Sequence, residues 1–488
     1  MASKSSGSDS KRPAPTPVEV EPALGLAGRA ARKQVPRSQL GDWVVDGVDR
    51  DPVAILHAQS EGRMQDLVPL RYSRMAASAF TFYRGAAALM AHDLGTQVNT
   101  GLMAQLAGDA HLANFGGFAT AERLLVFDLN DFDETLPGPF EWDVKRLVAS
   151  FEVAGRHRGF TPAQRSEIVA AVADEYRAGM AEFVGMTRLD VWYARMQAED
   201  ILSRWIGHTD DAHIASFQKV LAKGRKKTSA GAASRYTTQG PDGDLRVISD
   251  PPFVEPISEL SGMDEATVRS FIENVLSEYR KSLPDYLKVL LDGYRVADAG
   301  RKVVGVGSVG TRCWIALLVG RDDPRDDLVL QFKQAGESVL EAVAPGSAYG
   351  NHGQRVVEGQ RLMQASSDML LGWTTVTSLD GIPRDYYVRQ MWDWKTSPDL
   401  DSMDHHAIRV YARVCGWTLA RAHARSGDRY AIAAYLGSGA VFTTAMQKFA
   451  DAYADQNQRD YEAFLRAIAE GRIPRSDIED PKMKGVTG

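Results

Sequence analysis

The feature that most constrains this chain is a change of hydrophobic period near residue 294. Before it, apolar residues recur at helical spacing over long stretches. From 294 to 392 they fall in short dense runs broken by glycine, as in YRVADAGRKVVGVGSVGTRCWIALLVG and DLVLQFKQA. Such runs predict successive strands joined by one Gly-rich turn. A helix is predicted near 352–366, with two more strands at 373–379 and 385–392, and the chain is helical again from His405. A β-rich block inside a mostly helical chain defines the α+β class.

The helical parts read as 60–100, then Phe140 to about 186, 188–225 and a helical pair over 264–294. Residues 101–135 are strand-rich, with Leu124 to Phe127 as a short buried strand. The basic run KGRKKTSAGAASR that closes the 188–225 segment is expected to be a solvated, mobile loop. Residues 1–35, rich in Ser, Pro and Lys, are expected to be a disordered tail without the apolar core of a signal peptide. The densest apolar run, Trp314 to Val319, suits a buried strand and is far too short to span a bilayer. Two cysteines, Cys313 and Cys415, make no disulfide framework and point to a reduced, cytoplasmic setting. A net charge of -6 gives no argument for nucleic acid or an anionic membrane as partner.

Four constellations carry chemistry. In Gly108-Asp109-Ala110-His111-Leu112-Ala113-Asn114 an acid precedes an amide by five residues on a Gly-containing loop. Phosphoryl transfer uses that spacing, the acid orienting the attacking hydroxyl and the amide holding a metal ion; a polar turn capping its own backbone is the alternative. Next comes LLVFDLNDFDE, a strand with Asp128 at its expected end and Asp131 and Asp133 beyond it. A carboxylate there suits magnesium, which takes one or two carboxylates besides phosphate and water. The third is Gly305-Val306-Gly307-Ser308-Val309-Gly310. The sequel TRCWIALLVG reads as a strand, so a hairpin whose backbone approaches phosphates fits better than a dinucleotide fold, where a helix follows. The fourth is Lys333 in LVLQFKQA, a lysine among apolar residues that needs a partner. Glu358 on the following helix is the preferred one, with Glu337 and Glu341 as competitors.

GDAHLANFGGF, LLVFDLNDFDE and GPFEWDVKRL together resemble the catalytic and metal loops of aminoglycoside and choline kinases. That resemblance implies Asp109 as base, Asn114 and Asp128 as metal ligands and Asp143 as a brace for the loop. RMAASAFTFYRGAA, GVGSVGTRCW, RVVEGQRLMQ, YYVRQMWDWK and LARAHARSGD extend a similarity to a bacterial family, domain of unknown function 2252. Two departures stand out. Ala107 occupies the place where the kinase loop has histidine, and the Gly-rich hairpin and Lys333 follow the catalytic loop instead of preceding it. A circular permutation accounts for the order.

The resulting expectation is a protein-kinase-like two-lobed α+β fold, circularly permuted. Residues 36–290 form a helical lobe with a helical insertion over 150–290, residues 291–395 form a β-rich nucleotide-binding part, and 396–488 complete the helical lobe. The function implied is transfer of the γ-phosphoryl group of ATP, with Mg, to a hydroxyl of a small-molecule acceptor. Asp109 is catalytic; Asn114 and Asp128 hold metal; Gly305, Gly307, Ser308, Gly310, Lys333 and Glu358 bind nucleotide; His111, Asp131 and Asp143 stand nearby. Rivals are a haloacid-dehalogenase-type phosphatase using Asp131 of Asp131-Phe132-Asp133-Glu134-Thr135, a nucleotide-binding pseudokinase, and an AMP-transferring enzyme. His423, beside Leu419 on its helix, is expected to serve packing, and Arg389 and Lys395 face either nucleotide or solvent.

Overall fold

The computed structural model of the chain describes residues 24–478 apart from 45–49, 206–210, 241–243, 263, 322, 378–380, 392 and 398. Most of the tail expected to be disordered lies outside the described residues. Its last part does not behave as a tail: Leu26–Gln34 is a helix. Gly28 brings it against the Ala431 carbonyl so closely that a Cβ would sit 1.9 Å away.

Four long helices make the helical body: Glu141–His157, Pro162–Val184, His405–Ser426 and Val441–Ala469. Their starts are written locally. Thr161 and Gln164 form a reciprocal capping box before Pro162, and Asp404 caps the His405 helix through the Ala407 N–H. Pro162–Val184 and His405–Ser426 pack along much of their length, burying Ile168, Val172, Tyr176, Cys415 and Leu419 in one core. Small residues allow the close approach. A Cβ on Gly416 would lie 2.5 Å from the Val172 carbonyl oxygen, and one on Gly179 would lie 3.2 Å from the Ala420 Cβ. The first two of these helices therefore belong to the central body, not to an insertion running from 150.

The sheet has six strands, all antiparallel, in the spatial order Gly372–Thr377, Pro383–Gln390, Leu328–Ala335, Cys313–Val319, Arg295–Lys302, Val254–Pro256. Glu265–Arg280 and Asp285–Leu291 cover one face, where Ile272, Leu276, Tyr279 and Leu287 meet Leu318, Leu330 and Phe332. The β-rich part thus begins at Val254 and carries its own helices, earlier than the boundary at 291 that composition suggested. Lys333 lies opposite Cys313 on one neighbour and Tyr387 on the other.

The helix His352–Met363 joins sheet to body. A Cβ on Gly353 would be 2.3 Å from the Tyr386 carbonyl on the sheet side, and one on Gly359 would be 2.5 Å from Thr135 on the body side. Among the described residues no helix is long and apolar enough to cross a membrane.

Because the 162–184 and 405–426 helices touch through glycine, Gly416→Ala is expected to lower stability by about 1–3 kcal/mol through overpacking. Urea unfolding measures it; an unchanged midpoint would mean that the helix pair yields at that contact.

Candidate active site

The loop of Asp109 hangs from two antiparallel strands, Met103–Leu106 and Leu136–Pro139. Gly108 has φ +80°, and a Cβ there would come 2.3 Å from the Glu134 carbonyl oxygen, so only glycine fits. Asp143, in the first turn of the 141–157 helix, accepts hydrogen bonds from the Ala107 N–H (2.7 Å) and the Gly108 N–H (3.0 Å), which braces the loop. Behind it stands His423, its Nε2 3.4 Å from Asp143 and its Nδ1 2.8 Å from the Tyr176 hydroxyl. His423 is thus part of a buried polar relay and not mere packing. Asn114 Nδ2 donates to the Asp109 carbonyl at 2.8 Å, leaving its amide oxygen as the atom to meet a cation. His111 accepts from the Ala113 N–H at Nδ1, and burial pushes it down to about 3, so it is a neutral internal bond of the loop.

The Asp109 carboxylate is held by Arg146, with Nε at 2.8 Å and Nη2 at 2.7 Å from Oδ1. Arg146 comes from the 141–157 helix, lies over the Tyr83 ring at 4.0 Å and also donates to the Tyr83 carbonyl. Burial opposes its charge, but Tyr83 and Asp109 outweigh it and keep the guanidinium firmly protonated. Arg146 stands in GPFEWDVKRL, but the motif assigns it no role. Nor does any motif give a role to Arg84, which lines the same space with a buried Nε that has no partner among the described residues.

Asp128 stands apart from the cleft. The strand runs through Leu129, so Asp128 lies within it, 3% exposed, with Arg421 Nη2 at 2.6 Å and 2.8 Å from its two oxygens. It also accepts from the Leu129 and Ala365 N–H groups. This is an internal ion pair, and the metal-ligand role expected of Asp128 does not fit it. Asp131, Asp133 and Glu134 are the carboxylates of this run that line the cleft together with Asp109 and Asn114.

Lys333 meets the same run. Its ammonium contacts Asp133 closely and lies 3.8 Å from Asp131. Tyr387 donates its hydroxyl to Asp133 at 2.8 Å, and Ser308 of the Gly-rich turn donates to Asp133 at 3.4 Å. Glu358, the expected partner, pairs with Arg361 three residues on, at 3.1 Å. Glu341 accepts from the Ser338 and Ser347 N–H groups. Burial works against the Asp133 charge, yet Lys333 and Tyr387 hold that carboxyl below its usual range. At Asp131 burial and the charge of Asp133 win, and the carboxyl is raised. Lys333 and Arg389 oppose that rise without cancelling it. Thr135, the last residue of Asp-x-Asp-x-Thr, is fully buried and donates to the Leu106 carbonyl at 2.6 Å, away from Asp131.

The Gly-rich turn has φ +63° at Gly305 and +87° at Gly310, values that favour glycine. It is pinned from the N-terminal helices. Arg74 donates to the Gly305 carbonyl, Arg63 to the Val309 carbonyl at 2.6 Å, and the Met64 N–H to the Gly310 carbonyl at 2.7 Å. Gly305 and Ser308 line both halves of a cleft, one of about 560 Å³ with Asp109, Asn114, Asp133 and Gly307, the other of about 680 Å³ with Lys333. Asp131, Arg389 and Lys395 also line both, so Arg389 and Lys395 face the cleft. Each half is of ligand size. Lys227, from the basic run expected to be a solvated loop, lines the larger half and is only partly exposed. Among the described residues no three His, Cys, Asp or Glu side chains converge as a metal centre. A magnesium ion here would need ligand phosphate oxygens beside Asn114 and Asp131, and that donor set suits it.

These features define an α+β protein with a charged cleft between a helical body and an antiparallel sheet. The chain belongs to the family described as "Uncharacterized protein conserved in bacteria (DUF2252)", whose model matches residues 63–467. No curated protein and no solved structure matches it.

Removing one member of a buried ion pair strands the other, at a cost of about 3–5 kcal/mol. Arg421→Met and Asp128→Asn are each expected to lose about that much in denaturant unfolding, while the folded fraction keeps its ligand affinity. Loss of affinity from a fully folded Asp128→Asn protein would return Asp128 to the binding site.

Proposed function

We propose that the protein is an ATP- and magnesium-dependent phosphotransferase acting on a hydroxyl of a small-molecule acceptor, with a kinase-like arrangement in permuted order. One observation carries this reading. Asp109, Asn114 and Asp131 line the same cleft as a Gly-rich turn and a lysine that lie far later in the chain. The turn joins the Arg295–Lys302 and Cys313–Val319 strands, Lys333 stands on the next strand, and a helix follows it. That succession is the one protein kinases use to hold the nucleotide phosphates. The helix glutamate is replaced here by Asp133, which reaches Lys333 from the body.

In this mechanism Asp109 accepts the hydrogen bond of the acceptor hydroxyl and orients its oxygen for in-line attack. Arg146 fixes the carboxylate through Oδ1, which leaves Oδ2 to meet the hydroxyl. Asn114 and Asp131 are the residues that would hold magnesium, which neutralises charge on the phosphate chain when bound. Lys333 and the backbone of the Gly305–Gly310 turn bind the phosphates. Arg84, which lines the same half-cleft as Asp109 and whose buried Nε has no hydrogen-bond partner among the described residues, is suited to the charge that develops on the transferring group. Positioning and charge supply the rate, since little covalent chemistry falls to the protein.

The engagement of Asp109 by Arg146 favours a second reading, a nucleotide binder without turnover. Calorimetry with ATP and magnesium separates the possibilities. Wild type is expected to bind only with magnesium. Asp131→Asn and Lys333→Ala should each weaken binding by about tenfold or more, while Asp109→Asn should bind normally and lose turnover. Binding without phosphate release or transfer selects the second reading. No binding by folded wild type sinks both.

A further inference from the structure

Among the described residues, three lysines of the larger half-cleft form no ion pair. Lys227 comes from the segment after the Asp211–Arg225 helix, Lys302 ends the Arg295–Lys302 strand, and Lys395 follows the last strand of the sheet. Ion pairs occupy many charged side chains of this protein, including Lys333 in the same cavity. Among the described residues none of the three lysines has one. Of the other acids lining this half, Asp393 pairs with Arg123 at 2.7 Å, Asp368 accepts from the Leu370 and Gln390 N–H groups, and Asp250 is exposed to solvent. Asp131 lies towards Lys333.

The lysines are also held in place. The Lys227 carbonyl accepts the Trp394 N–H at 2.7 Å, and Gly224 lies so close to Thr396 that a Cβ would be 1.9 Å from its methyl group. Thr396 in turn exchanges backbone hydrogen bonds with Gly117. The Lys302 ammonium sits 4.4 Å from the centre of the buried Tyr236 ring. Unpaired cations kept partly out of water cost folding energy, so their convergence on one cavity asks for an anion. Their titration agrees. Burial lowers all three, with Arg389, Lys333 and Lys227 adding to the effect at Lys395 and Asp131 opposing it; Lys395 falls to about 7.

We propose that Lys227, Lys302 and Lys395 form a phosphate-binding subsite in the half of the cleft that Asp109 does not line. The ligand then carries a phosphate group distinct from any chain held at Lys333, either as part of a nucleotide substituted on its ribose or as a separate phosphate. The proposal rests on the cavity and its lysines and not on phosphoryl transfer.

The experiment is calorimetric titration of wild type and Lys227→Met/Lys302→Met protein with AMP, adenosine 3′,5′-bisphosphate and inorganic pyrophosphate. Wild type is expected to prefer the bisphosphate over AMP by about tenfold or more, and the double variant to lose that preference. If pyrophosphate binding alone falls in the variant, the subsite holds a separate phosphate. At pH 8, titrations in buffers of different ionisation enthalpy should register proton uptake, because an anion raises the Lys395 pKa from about 7. Lys395→Met should abolish the uptake. Thermal unfolding of the unliganded variants should not fall below wild type, since unpaired charges have been removed. Equal affinity of wild type and double variant for all three ligands would overturn the proposal.

Discussion

The contact of Lys333 with Asp133 is the point on which the cleft depends. One partner stands on the sheet and the other on the turn that leaves the helical body. Lys333 is nearly enclosed and Asp133 only half-buried, and the lysine could not keep its charge there alone. Tyr387 and Ser308 bond to the same carboxylate from two further elements of the sheet region. The electrostatics thus fix both the seating of the sheet and the position of the Gly-rich turn. Asp131, farther from Lys333 at 3.8 Å, shares that ammonium with Asp133.

A second layer of support comes from one helix. His405–Ser426 sends Arg421 to Asp128 and His423 to Asp143. The first pair steadies the strand that leads into the acidic turn, and the second steadies the residue that braces the Asp109 loop. Arg425 continues the series by donating to the Leu362 carbonyl on the helix that joins sheet to body. The site residues therefore sit on loops whose backbone groups are tied to rigid helices, the arrangement that precise positioning requires.

Much of this architecture was legible in the sequence. Hydrophobic period located the helices and the strands around Lys333, because both follow from local burial. What failed was partner choice. Asp128 was read as a strand-end ligand because the apolar run stops at Phe127, whereas the strand continues to Leu129. Its true partner lies 293 residues away. Glu358 was placed on the right helix, but spacing does not reveal that Arg361 one turn on takes its charge. The basic run looked like a solvated loop because its side chains are charged. Its docking uses a backbone carbonyl, on which composition carries no information. Arg74, Arg84 and Arg146 stand within the family-like segments, yet their contacts, like those of Arg63, follow only from tertiary packing.

The placement of Arg421 and His423 so late in the chain has a consequence for synthesis. The acids of the cleft emerge from the ribosome well before the sheet, and both emerge before the 405–426 helix that pairs with Asp128 and Asp143 behind them. Native contacts of such large sequence separation form slowly. A nascent chain that ends before residue 405 holds every residue proposed to touch ligand, yet lacks the helix that keeps Asp128 and Asp143 in register.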